Sequence, residues 1–505
     1  MHTQHHRPNI VFILADDLGE WALGCSGNEE VKTPHLDRLA AEGMRFSNFF
    51  CTSPVCSPAR ASILTGHIPS QHGVHDWIRA GNIEAAGLEE DLATLPRFQD
   101  ESLATPYLAG QTGYTEKLAA AGYTCALSGK WHLGSSLTPQ MGFSRWYTIA
   151  RGGCSYMEPD MVVDGQIKLE RHYVTDLITR QALRDMEDLA KERHPFYMSV
   201  HYTAPHSPWN REEHPEEYLR LYDSCEFHSV PELPPHPDQS PTCPQGQGEA
   251  RKELLRGYYA SITAMDAGIG QLLEQLTQLG IREQTLVIFM SDNGMNMGHH
   301  GVWGKGNGTF PLNMYDTSVK VPALFSHPGR IPAGQICAEL VSQYDLYPTI
   351  LEYAGIHAED SGTEKEPRPG SSFVGILLGS AAGTESGAST HREEVVIYDE
   401  YGPVRMLRTA DWKYVHRYPY GPHELYDLTH DPGEEHNLIQ EPEHQGRIQV
   451  FRKRLGEWFQ SYLDPERDGV YCAVTGFGQL SRLSAGDREG RGFQDRPHSD
   501  KRNES

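Results

Sequence analysis

Asn9-Ile10-Val11-Phe12-Ile13-Leu14-Ala15-Asp16-Asp17 decides the fold: six consecutive apolar residues run without transition into two carboxylates. A strand with one wet face would show a polar residue at every second position, so an unbroken run of this length predicts a strand buried on both faces. Three further segments have the same form. Tyr123-Thr124-Cys125-Ala126-Leu127-Ser128 runs into Gly129-Lys130-Trp131-His132. Phe196-Tyr197-Met198-Ser199-Val200-His201-Tyr202 precedes Ala204-Pro205-His206, and Thr285-Leu286-Val287-Ile288-Phe289-Met290 precedes Ser291-Asp292-Asn293-Gly294.

Helical patterns separate these strands. Pro34 to Glu42 follows Thr33, a suitable N-cap, and Glu116 to Ala121 ends at Gly122. Between Leu254 and Leu276, apolar residues recur at Ile262, Met265, Ile269, Leu272, Leu273 and Leu276, steps that keep one helix face buried. Alternating buried strands and helices predict an α/β fold with a large, doubly wound, mixed but mainly parallel sheet, whose ligands gather at the carboxyl ends of the strands. Asp16, Asp17, Lys130, His132, His206, Asp292 and Asn293 all fall at that edge. After about residue 360 the texture changes to a Gly-, Ser- and Ala-rich connection around a short apolar stretch, Phe373 to Leu378. Glu394–Tyr398, Val404–Arg408 and Trp412–Arg417 then read as antiparallel strands, followed by a helix over Arg447–Tyr462. The expected organisation is a catalytic domain over 1–375, a smaller C-terminal antiparallel α+β domain over 376–484, and a polar, disordered tail over 485–505.

Composition narrows the function. The 505 residues are 38% hydrophobic and 22% charged, ordinary for a globular enzyme with one large domain and a smaller one. No run of 18 apolar residues suggests a membrane span, and the first residues lack the parts of a secretory leader, so a cytoplasmic location in a bacterial host is expected. A formal net charge of −24 argues against nucleic acid as a partner. Nine cysteines, an odd number without CxxC spacing, suggest neither a disulfide framework nor a zinc cluster.

Cys56-Ser57-Pro58-Ala59-Arg60 stands just before Ala61-Ser62-Ile63-Leu64-Thr65-Gly66, which reads as the first turns of a helix. A cysteine at such a position lies where backbone N–H groups and the helix dipole favour an anion, with Arg60 one turn on. Cys56-x-Pro58-x-Arg60 followed by Leu64-Thr65-Gly66 resembles the signature of the sulfatases, the formylglycine-dependent members of the alkaline phosphatase-like superfamily. The family's other landmarks follow in order: Pro8-Asn9 through Asp17, Gly129 to Gly134, Ala204-Pro205-His206, Ser291 to Gly294, and Gly301-Val302-Trp303-Gly304-Lys305-Gly306. Near the end, Glu424-Leu425-Tyr426-Asp427-Leu428 with Asp431-Pro432 and Asn437-Leu438 resembles the C-terminal hairpin signature. The resemblance spans roughly residues 7 to 465.

It implies a sulfuric ester hydrolase in which a formylglycine-generating enzyme converts Cys56 to formylglycine (3-oxoalanine). Asp16, Asp17, Asp292 and Asn293, with the modified Cys56, would hold one Ca²⁺; oxygen ligands alone suit that hard cation rather than zinc. Arg60, Lys130, His132, His206 and Lys305 complete the implied catalytic set. Lys130 and Lys305 would neutralise sulfate oxygens, His206 would serve the leaving oxygen, and His132 would accept the proton when sulfate is expelled. A small sulfated substrate, a saccharide with aryl sulfates as secondary substrates, is expected. A phosphonate monoester or phosphodiester hydrolase shares every one of these motifs and remains the alternative. The sequence departs from the common pattern after Lys305, where Gly306 to Met314 precede Tyr315-Asp316. Asn307 and Asn313 there, His72, His75 and Asp76, His299 and His300, and Trp77, Trp131, Trp209 and Trp303 are candidates for the pocket wall, each equally readable as scaffold.

Overall fold

The structure, a computed structural model, describes residues 7–356, 367–379, 397–483 and 492–493. Strand β1 (Asn9–Ala15) is buried from Ile10 onward. Its pleat divides it between two cores: Ile10, Phe12 and Leu14 face one, Val11, Ile13 and Ala15 the other. That is why no polar residue interrupts the run.

Nine further strands join β1 in one sheet. In chain order they are β2 (Met44–Phe46), β3 (Thr124–Gly129), β4 (Arg145–Ile149), β5 (Asp160–Val163), β6 (Gln166–Leu169), β7 (Phe196–His201), β8 (Thr285–Ser291), β9 (Ala323–Ser326) and β10 (Gln335–Cys337). The spatial order is β10-β2-β9-β8-β1-β7-β3-β4-β5-β6. The central five, β8-β1-β7-β3-β4, are all parallel. Antiparallel pairing enters only outside them, where β9 meets β8 and β5 meets β4. The sheet is mixed and mainly parallel, as expected, and the four strands read from the sequence lie within its parallel centre.

Helices cover both faces. They include α1 (Pro34–Ala41), α2 (Cys56–Thr65), α3 (Tyr114–Ala120), α4 (Val174–Leu189) and α5 (Gly248–Gln278). The apolar stripe of α5 from Ile262 to Leu276 is buried in the core that receives Val11 and Ile13. Helix α2 begins at Cys56 itself, not at Ala61, and every one of its ten residues is buried. Gly66, at φ 68°, ends it in the left-handed conformation that favours glycine.

Four strands, β11 (Ile397–Tyr401), β12 (Val404–Arg408), β13 (Trp412–Arg417) and β14 (Glu424–Asp427), form a separate antiparallel sheet in chain order. Helix α6 (Gln445–Tyr462) covers it through Phe451, Leu455 and Phe459, which pack with Leu407, Tyr414 and Leu425. Residues 394–396 of the first expected strand, much of the Gly-rich connection and nearly all of the expected tail lie outside the described residues. Buried ion pairs tie this sheet to the large one: Lys413 Nζ lies 2.5 Å from both Asp316 Oδ1 and Glu434 Oε1. Tyr401 donates a hydrogen bond of 2.6 Å to Asp76, and the Ser70 amide donates one of 2.9 Å to Glu400. The small sheet thus braces the segment that follows α2.

Candidate active site

The carboxyl ends of β1, β8, β3 and β7 deliver Asp16-Asp17, Asp292-Asn293, Lys130-Trp131-His132 and, after a short loop, His206 to one place. Two of these residues sit in the left-handed region that non-glycine residues seldom adopt, Asp17 at φ 64° and His132 at φ 54°. Such conformations persist only where surrounding contacts over-determine them. Asp17 has those contacts: its amide donates to Asp292 Oδ1 at 3.2 Å, and the Tyr258 hydroxyl donates to its carbonyl at 3.0 Å. His132 is held at its carbonyl by the Ser57 hydroxyl, 2.9 Å away.

Helix α2 brings Cys56 and Arg60 to the same point. Arg60 donates from Nε to Asp292 Oδ2 at 2.9 Å and from a terminal nitrogen to the Lys130 carbonyl at 3.1 Å. Its other terminal nitrogen lies 2.8 Å from Asp292 Oδ2 and 3.6 Å from Asp16 Oδ1. Lys130 Nζ meets Asp16 Oδ2 at 2.5 Å. Lys305 Nζ reaches Asp17 Oδ1 at 2.5 Å and Cys56 Sγ at 2.6 Å. His206 Nε2 stands 3.7 Å from Asp17 Oδ2. All ten residues expected at the site from the sequence therefore converge, drawn from segments almost 300 positions apart.

Three carboxylates face three cations here, and burial makes each charge depend on its neighbours. Burial would raise the Asp17 carboxyl, but Lys305, His206 and Lys130 more than reverse this and hold it well below the usual range. Burial and the adjacent Asp16 push Asp292 up to about 6 against the pull of Arg60. Burial and Asp16 also push the Cys56 thiol well up, although Lys130 and Lys305 oppose them. Burial carries His206 down to about 4 despite Asp17.

The donor set fits a hard cation. One carboxylate oxygen from each of Asp16, Asp17 and Asp292 lies within 4.8 Å of the others. Asp16 Oδ1 and Asn293 Oδ1 are buried without a hydrogen-bond partner, a costly state for oxygens that a divalent ion would relieve.

The histidines differ in tautomer. His206 Nδ1 lies 2.7 Å from the Ser207 carbonyl, which can only accept, so Nδ1 carries the hydrogen and Nε2 faces the cluster. His132 Nε2 lies 2.9 Å from the Ile78 carbonyl and carries the hydrogen there. His132 Nδ1, buried and unpartnered, is then a free lone pair.

A cavity of about 330 Å³ opens over Cys56, His132, His206 and Lys305. Of the aromatic candidates only Trp77 lines it. Trp131 is buried against Phe143 and Trp146, and Trp209 and Trp303 belong to the core under the opposite face of the sheet. Asn307 also lines the cavity, while Asn313 is buried and donates to the Lys305 carbonyl at 2.9 Å, fixing the lysine's loop. His72, His75 and Asp76 do not reach it. They are buried and bind Ser62, the Arg467 carbonyl and Tyr401 respectively. His299 packs on Trp21, and His300 stacks on Tyr315 with ring centres 3.8 Å apart. The sequence reading missed Ile78 and the Arg151-Gly152-Gly153 turn after β4, which complete the wall. A polar turn at that sheet edge was the available signal.

Comparison with known proteins places the chain in a family. A family model described as Sulfatase matches residues 8–356, and one described as N-sulphoglucosamine sulphohydrolase, C-terminal, matches residues 298–461. The chain is 27% identical to an N-acetylglucosamine-6-O-sulfatase of Bacteroides thetaiotaomicron, over 92% of this chain and 88% of that protein. It is 31% identical to an ulvan-active sulfatase of Formosa agariphila, over 86% of this chain and 78% of that protein. Among solved structures, a protein in complex with its substrate D-glucosamine-2-N,6-O-disulfate superposes with a TM-score of 0.72 at 23% identity, covering 90% of this chain and 98% of that one.

Proposed function

The chain belongs to the sulfatase family, sulfuric ester hydrolases of alkaline phosphatase-like fold, and from that premise we propose that it removes sulfate from a sulfated saccharide by means of a formylglycine made from Cys56. The observation that carries this reading is the position of Cys56 Sγ: at the head of a fully buried helix, 2.6 Å from Lys305 Nζ and 3.7 Å from Asp17 Oδ1, on the floor of the cavity. The thiol sulfur stands in for the oxygens that the modified residue would present there. Formylglycine, installed by a formylglycine-generating enzyme, would supply in its hydrated form a hydroxyl able to attack sulfur. One calcium ion, held by Asp16, Asp17, Asp292, Asn293 and the modified Cys56, would supply positive charge and polarisation beside that hydroxyl.

The remaining residues act by position. Lys130 and Lys305 set two ammonium groups against the oxygens on which charge accumulates as the ester bond breaks. Arg60 holds Asp292 and, through the Lys130 carbonyl, the start of the loop bearing Lys130. His206 turns Nε2 towards the cluster, 3.7 Å from Asp17 Oδ2, and a proton taken up at that nitrogen would pass to the departing sugar oxygen. His132 Nδ1, the free lone pair, accepts the proton that must leave for sulfate to be expelled.

A saccharide is favoured as leaving group by the similar proteins named for N-acetylglucosamine and ulvan, and by Trp77, an indole in the cavity lining of a kind that suits the apolar side of a sugar ring. The test is a parallel measurement of kcat/KM on sulfated saccharides, p-nitrophenyl sulfate, and phosphate and phosphonate diesters. Highest turnover on a sulfated saccharide is expected. Preference for a phosphorus ester would assign the site to phosphonate or phosphodiester hydrolysis instead.

A further inference from the structure

Arg151 is the cation at the cavity that the sulfate-cleaving cluster leaves unused. It follows β4 at the same sheet edge as the catalytic residues and lines the same cavity. Gly152 allows the close approach: a Cβ there would lie 2.1 Å from His132 Nε2, so no larger residue could bring the turn against the catalytic histidine. The Arg151 side chain remains one-fifth exposed.

Its charged neighbour is Glu101, whose side chain is fully buried. That carboxylate is already occupied. It accepts from the Asn82 amide and Asn82 Nδ2, each at 2.9 Å, and from the Ile83 amide at 3.3 Å. The shortest approach of Arg151 to it is from Nε, at 3.3 Å, an ion pair and not an aligned hydrogen bond. The ring of Phe98 lies 5.9 Å from the guanidinium carbon. One side of the guanidinium is therefore anchored. Its two terminal NH₂ groups have no hydrogen-bond partner among the described residues, which leaves the forked end that suits a carboxylate or sulfate.

Resting on the sulfatase reading, we propose that Arg151 is a specificity residue that binds a second anionic group, a sulfate or a carboxylate, on the saccharide whose sulfate is cleaved at Cys56. The cavity volume is at the small end of ligand sites, about 300–1,000 Å³, and suits one sugar ring, so that second anion lies on the same ring or at its junction with the next. Glu101 positions the arginine, and because its lone pairs are spent on backbone and amide donors it competes weakly for the forked end.

The experiment compares the wild-type enzyme with Arg151→Met, which keeps the aliphatic stem, and with Arg151→Lys, which keeps the charge but not the fork. Three probes are used: an N-acetylhexosamine monosulfate, the same sugar with a second sulfate, and the monosulfate joined to a hexuronate. Arg151→Met should lower kcat/KM for one or both doubly anionic probes, through KM, about 10- to 100-fold more than for the monosulfate, the scale of a lost charge-assisted hydrogen bond. Arg151→Lys should restore only part of that ratio. The responding probe identifies sulfate or carboxylate as the recognised group. Equal losses on all three probes, or none, would overturn the proposal, the former marking the Glu101 pair as purely structural. A wild-type enzyme inactive on every sulfate ester would overturn the sulfatase reading instead, so the two failures are distinct.

Discussion

His206 and Asp292 are where single side chains separate the chemistry from the scaffold. A sugar alkoxide needs a proton as it leaves and a nitrophenolate does not. His206→Ala should therefore slow a sulfated saccharide far more than p-nitrophenyl sulfate, and the ratio taken on one protein sample is independent of its active fraction. Equal slowing would remove His206 as the proton donor. Asp292→Ala takes away the partner of Arg60 and one oxygen of the proposed metal site. Elemental analysis should show calcium falling below one per chain together with activity; full calcium retention would contradict the ligand set. The ten expected residues were legible because most of them directly follow an apolar run that can only be an interior strand. Arg151 was not, since β4 carries three half-buried residues and no unbroken apolar signal. Nor could sequence sort Trp77 from Trp131, Trp209 and Trp303, because an indole suits a pocket wall and a core equally well, and only packing decides.

At the scale of the element, the meeting of β3 and β7 is the most demanding junction in the site. Gly129 has φ 117°, and a Cβ there would lie 1.9 Å from the His201 carbonyl oxygen. The next residue, Lys130, donates its amide to that same carbonyl at 2.8 Å. Gly129→Ala should cost about 2 kcal/mol or more in stability and should move Lys130 enough to depress kcat/KM, measured by thermal unfolding and steady-state rates. An unaltered Tm and full activity would show that the junction tolerates a side chain. The long elements, β1, β7, β8 and α5, announce themselves by burial. The outer strands β2, β9 and β10 have three or four residues each, and their place depends on neighbours far along the chain. Helix α2 begins five residues before its expected start because Ser57 and Pro58 suit a first turn as readily as a loop.

Across the whole molecule, the antiparallel sheet is fixed to the catalytic sheet by charges with almost no solvent. Lys413, fully buried, answers both Asp316 and Glu434. Burial raises Glu434 to about 7 even with Lys413 beside it. Lys413→Met strands Glu434 and leaves Asp316 to Arg408 alone, so a loss of about 3–5 kcal/mol is expected. A carboxyl whose folded pKa is raised binds protons in the folded state, and its contribution fades as pH climbs through that value. The deficit of Lys413→Met should therefore shrink as pH is lowered from about 8 to about 6, as followed by denaturant unfolding; a pH-independent deficit would contradict the buried charge cluster. The central claim is chemical, however, and joins all three scales, since sheet edge, buried helix and cation cluster meet at one sulfur. Its most direct test is peptide mass spectrometry across Cys56 in protein produced with and without a formylglycine-generating enzyme, with sulfatase activity measured on the same samples. Activity should rise in proportion to the fraction of Cys56 converted from thiol to aldehyde and vanish in Cys56→Ala, whereas full activity in protein whose Cys56 is entirely free thiol would contradict the account.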